Sequence, residues 1–248
     1  MAITIEVQNI STRMDNSELQ RILAAVQTQV LEDVAPSWLN EAVTFTLLAH
    51  EQPFSPGKNG AWRFIVADTP EQVGQDVPGA LGDHDAEGGV PVGYAFVGIT
   101  LDAGMKPSVT ISHEVLEMIG DALIDQCNQW SDLPHALFLA QELCDPVEDD
   151  RFGYEKNGVL VSDFVTPAYF VPSSAGPWDF KGHLQAPNTL ALGGYQLTWD
   201  PTNGWQQQFP QDGRAGRSAP GFATRYARRI RRMTKAQTRG IMATYQNR

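Results

Sequence analysis

The chain has 248 residues, 42% hydrophobic and 19% charged, which is enough apolar material for a full core. That balance excludes a disordered or collagen-like protein, and no apolar run approaches the ~20 residues of a membrane-spanning helix. The formal charge of -11 is unevenly spread, since 10 of the 18 basic residues follow Asp212, the last acid, leaving residues 1–213 with 8 bases against 29 acids. So acidic a body argues against general nucleic-acid binding. The basic tail, by contrast, suits either a solvated helix docked on the chain's own acidic body or an acidic partner, nucleic acid or the acidic surface of a neighbouring subunit.

In chain order, residues 2–9 alternate like a strand and lack the charged start and apolar block of a secretory signal. Asp15, Asn16 and Ser17 offer N-caps for an amphipathic helix over ~17–33, whose apolar stripe is Leu19, Ile22, Leu23, Val26, Val30 and Leu31. Residues 42–48 and 61–67 read as strands, and residues 68–91 as an irregular stretch rich in Gly, Asp and Pro. Residues 92–101 read as a further strand, followed by helices over 109–123 and 135–143. Beyond Asp150 the pattern turns to β. A hairpin closes at Asn157-Gly158, short strands fall at 164–171 and 193–199, and an Arg-rich helix covers ~222–245. The fold class is therefore α+β, one twisted sheet with helices packed on it. Its organisation is a first domain over 1–150, a β-rich extension over 151–212 and a basic tail over 213–248. Cys127 and Cys144 are too few for a disulfide framework; they suit either one bridge or two free thiols.

The segment Ile111 to Asp121 carries the chemistry. His113 and Glu117 are four apart and share one face of a helix, the spacing that brings two ligands to one ion. Glu114 lies about 100° further round the helix, where it can reach a metal-bound water. Val115, Leu116, Met118 and Ile119 make the remaining faces apolar, so the helix is buried and its charged groups need a compensating partner such as a cation. Further acids follow at Asp121, Glu142, Asp145, Glu148, Asp149 and Asp150, and His84 lies in the glycine-rich 79–89 loop. The run from Asp145 to Asp150 suits either a Ca²⁺ ion or a solvated acidic loop. His50, His135 and His183 have no motif around them, and the six tryptophans read as core or interface anchors.

His113-Glu114-x-x-Glu117 resembles the His-Glu-x-x-His helix of the zincin metallopeptidases, with Glu in place of the second His. The longer run Ser112 to Met118, with Gly79 to Asp85 and Glu142-x-Cys144-Asp145-Pro146, also resembles poorly characterised bacterial and phage proteins. The resemblance covers roughly residues 1–170. It implies a zincin-like sheet whose substrate-aligning edge strand is 92–101. It also implies Zn²⁺ held by His113, Glu117 and Glu142, with Ca²⁺ or Mn²⁺ as alternatives. Asp121 and His84 are the other candidates for the third ligand, and Asp145 would orient His113. Glu114 would be the general base, and His84 a donor to the transition state. The implied activity is peptide-bond hydrolysis on a peptide or protein substrate. The other reading is an inactive structural or assembly protein of a phage particle, so the implied location is cytoplasm or virion. A site with one His and two carboxylates neutralises a divalent cation and acidifies its water less than the usual zincin set does.

Overall fold

A computed structural model of the chain describes residues 2–39, 41–49, 52–55, 60–131 and 136–210. The expected helix over ~222–245, the basic tail, His50 and His135 lie outside the described residues.

The fold is α+β. Strand β1 (Ile3–Asn9) leads to helix α1 (Asn16–Gln29), capped by Asp15, whose carboxylate accepts from the Glu18 amide. A π-type turn (Val30–Val34) and a short helix α2 (Ala35–Trp38) carry the chain out of α1, and Leu39 in the left-handed region stops it. Strands β2 (Val43–Leu47) and β3 (Trp62–Ala67) follow, then β4 (Gly82–Glu87) and β5 (Val90–Phe96). These five strands form one sheet in the order β2-β1-β3-β5-β4. All pairings are parallel except β4 with β5, a hairpin turned by Gly88 and Gly89, both at positive φ.

The strand expected at 92–101 therefore needs correction. Only its first half is strand, and residues from Val97 onward form helix α3 (Val97–Asp102). The Thr100 hydroxyl bonds the Phe96 carbonyl, and Gly98 lets the new helix sit against Asp68, whose carbonyl oxygen a Cβ there would meet at 2.7 Å. Nor is β5 an edge strand, because it lies between β3 and β4. The edge belongs to β4, in the stretch expected to be irregular.

Helix α4 (Pro107–Gly120) packs on β4 and β5, with only Ser108 and Gly120 outside its buried set. The helix expected over 135–143 is instead a strand. β6 (Cys127–Ser131) and β7 (Leu137–Ala140) pair antiparallel, and β7 also pairs with β10 (Gln196–Asp200). Leu139 and Ala140 lie fully buried in that sheet, whose strand order is β11-β10-β7-β6 with β11 at Gly204–Gln208. The Asn157-Gly158 hairpin forms between β8 (Tyr154–Lys156) and β9 (Val159–Val161), with both turn residues at positive φ as a type I′ turn requires. Residues 164–171 are not a strand, because Pro167 opens a 3-10 turn (Pro167–Phe170) and only Val165 makes a β-bridge, to Asp179. Cys127 and Cys144 are not joined by a disulfide.

The main core joins β1, β3, α1 and α4 with Val161 and Phe164 from beyond Asp150. A buried polar bridge ties the same parts together. Gln29 donates to the Ser162 carbonyl at 2.8 Å and accepts from the Ser112 hydroxyl at 2.8 Å, while Ser112 accepts from the Ser162 amide at 3.0 Å. Ser112 precedes His113, so this bridge sets the rotation of α4 on the sheet.

Candidate metal centre

Three segments converge under the sheet edge. α4 presents His113, Glu114 and Glu117 on adjoining faces. β4 presents His84, and the segment after β7 presents Glu142 and Asp145. All six side chains are buried, Glu117 and Asp145 completely. β4 can approach this closely because residue 82 is glycine: a Cβ there would stand 2.5 Å from Glu114 Cγ and Oε1. Gly93 serves the same purpose beneath Met118 and Phe64.

Glu117 is the hub. Its Oε1 lies 3.1 Å from His113 Nε2, and its Oε2 lies 3.3 Å from His84 Nδ1. Around His113 the set is completed by Asp145 Oδ1, 3.3 Å from Nε2. Around His84 it is completed by Glu114 Oε2, 3.6 Å from Nδ1, while Glu142 Oε2 lies 3.7 Å from the other ring nitrogen. Two triplets of donors therefore fit within ion-binding distance, His113–Glu117–Asp145 and His84–Glu114–Glu117. Glu142, expected beside His113 and Glu117, stands behind His84. Asp145, expected to orient His113, completes its triplet. Asp121 belongs to neither, because its Oδ1 accepts from the Asp125 and Gln126 amides and closes the turn after α4.

Burial opposes charge on both imidazoles, yet the carboxylates outweigh it. Glu114, Glu117 and Glu142 hold the His84 pKa well above the usual histidine value, and Glu117 with Asp145 does the same for His113. For Glu117, burial pushes upward, but the two histidines, His113 first, pull its carboxyl well below the usual range. The Cys144 thiol, wholly buried nearby, is pushed up chiefly by that burial and remains neutral.

The cluster opens on a cleft of about 300 Å³, lined by His113, Glu114, Gly82, Thr110, Tyr195 and Glu148 among others. A larger cavity of about 680 Å³ between Leu137 and Pro210 is lined by no acid, histidine, lysine or arginine, so of the two it is the smaller cleft that reaches the candidate donors. His183, which has no motif around it, lies at a third group of donors with Asp163 and Asp179. Asp163 and Asp179 are buried against each other, and His183 Nε2 lies 3.9 Å from Asp163. Burial first, then Asp179, raises the Asp163 carboxyl to about 9, so the pair shares a proton at neutral pH.

The donors fit a divalent cation. Both oxygens of Glu117 and both nitrogens of His84 are buried without a hydrogen-bond partner of good geometry. Ligand atoms about 2.0–2.1 Å from a tetrahedral ion stand roughly 3.3 Å from one another, close to the separations found here. The His113–Glu117 separation of 3.1 Å suits a hydrogen bond as well, whereas the separations of 3.3 to 3.7 Å around His84 and Asp145 exceed the usual hydrogen-bond length.

Neither family models, nor curated proteins, nor solved structures return a match to this chain.

Proposed function

We propose that the protein is a metal-dependent hydrolase of peptide bonds, with His113, Glu117 and Asp145 as the ligands of its ion. The observation that carries this reading is Glu117, a fully buried carboxylate whose two oxygens face the imidazoles of His113 and His84, set four residues after a histidine on the wall of a cleft. Zn²⁺ suits one imidazole and two carboxylates, and Mn²⁺ suits an oxygen-rich set as well. A cation held there would supply Lewis acidity toward a carbonyl and acidify a water.

The chain's own groups provide the rest. On a centre with one ion, Glu114 takes the proton of the attacking water and passes it to the leaving amine as the C–N bond breaks. His84, held between Glu114 and Glu142, would act through Glu114, orienting its carboxylate from behind. The resemblance of His113-Glu114-x-x-Glu117 to the zincin helix supports a peptide as substrate. So does the position of β4, an edge strand whose first residue borders the cleft and can align an extended chain.

The test is elemental analysis of protein purified without added metal, alongside cleavage of a peptide library followed by mass spectrometry. Wild type should hold at least one equivalent of a divalent metal and cut peptides, and His113→Ala should do neither. Metal without turnover of any peptide would refute hydrolysis and favour the non-catalytic assembly reading, in which the ion is structural.

A further inference from the structure

We infer that the pocket around Glu117 holds two divalent cations, with the Glu117 carboxylate bridging them. This deepens the reading above and rests on its metal site at His113. The two oxygens of Glu117 face different histidines on different elements, His113 of α4 at 3.1 Å and His84 of β4 at 3.3 Å. The two donor triplets share only Glu117, so one ion at either position leaves the donors of the other uncoordinated. Paired ions in hydrolytic sites stand about 3.5–4 Å apart, a gap that one carboxylate spans.

The surroundings of His84 fit a ligand rather than a lone hydrogen bonder. Its Nδ1 points into the triplet with Glu114 and Glu117, and its Nε2 faces Glu142. A carboxylate behind the far nitrogen of a metal-bound imidazole fixes its tautomer and strengthens it as a ligand. Charge agrees with the geometry. Glu114, Glu117, Glu142 and Asp145 put four carboxyl groups in one buried cluster, a formal charge that two divalent ions would cancel and one would only halve. Sites with several carboxylates and one histidine per ion are an established way to hold such pairs.

The second ion changes the role of Glu114 from proton acceptor to ligand. The chain stripped with chelator and reloaded with Mn²⁺ tests this, through bound metal per chain after gel filtration and through its electron paramagnetic resonance. Two ions per chain should be retained, with the multiline spectrum of a magnetically coupled pair. Glu114→Gln and His84→Gln should each reduce the count from two to one and leave the six-line spectrum of isolated Mn²⁺. One ion in wild type, unchanged by either substitution, would overturn the pair and leave the single-ion hydrolase standing. Two uncoupled ions that both variants retain would place the second ion elsewhere and also overturn it. No bound ion in any form would remove the metal reading itself.

Discussion

Replacing Asp163 by asparagine keeps the outline of the side chain and removes its titration. Asp163 Oδ1 accepts from the Phe164 amide at 2.8 Å and the Lys181 amide at 3.2 Å, which an amide oxygen can also do. Its side chain also meets that of Asp179, to which an asparagine NH₂ would donate as the protonated acid does. The folded carboxyl keeps its proton up to about pH 9, whereas in the unfolded chain the proton leaves near its ordinary value of 3.8. Between those values the folded state binds one more proton than the unfolded state. The stability that Asp163 contributes is therefore complete below about pH 4 and falls by about 1.4 kcal/mol per unit as pH rises toward 9. From pH 6 to pH 8 the loss is about 3 kcal/mol, or roughly 6–10 °C in Tm for a domain of this size. Asp163→Asn lacks that slope, so its Tm advantage over wild type should widen by that amount across the window. Differential scanning calorimetry in chelator-treated buffer at pH 6, 7 and 8 measures it. A constant Tm difference at all three values would show that Asp163 is already ionised in the folded protein and would refute the shared proton.

Gly120→Ala places a Cβ 2.1 Å from Leu143 Cδ1, and Leu143 is fully buried. Overpacking at about 1–3 kcal/mol exceeds the gain of about 1 kcal/mol from better helix propensity, so urea unfolding should show a lower midpoint; an unchanged midpoint would mean that Leu143 gives way freely. Gln29→Met keeps the volume but leaves the Ser112 hydroxyl and the Ser162 carbonyl without this partner. At about 1–3 kcal/mol for each stranded group, chemical denaturation should report a loss of roughly 2–6 kcal/mol; neutrality would show that the bridge adds nothing to the packing of α4.

What could be seen in the sequence was whatever repeats with a simple period or a fixed motif. α4 declared itself through His113, Glu117 and a nearly unbroken apolar surround, and the β8–β9 hairpin through Asn157-Gly158. β4 was hidden because Gly82-Asp83-His84-Asp85-Ala86-Glu87 is polar yet buried, against the pattern of a strand with one wet face. β7 passed for helix because Leu-Phe-Leu-Ala is too short for period to separate the two, and its pairing with β10 is supplied some 60 residues later. α3 passed for strand because Val97, Ile99 and Thr100 are β-branched, and tertiary contact with Asp68 overrides that preference. His84 and Asp145 were visible as candidates, but their partners were not, since no local spacing relates residue 84 or 145 to Glu117.

The Asp145 carbonyl accepts the Tyr195 amide at 2.9 Å, and Tyr195 also lines the cleft. A ribosome adding about 5–20 residues per second makes Tyr195 roughly 3–10 s after Asp145. Through that interval the nascent chain already carries β1 to β5 and α4, while the Asp145 carbonyl has its local bond from the Glu148 amide but lacks the long-range one from Tyr195. The donor set is therefore finished only by the last sheet to be made. A cation taken up by the proposed site would therefore arrive at the end of synthesis, sealing a scaffold already made rather than nucleating one.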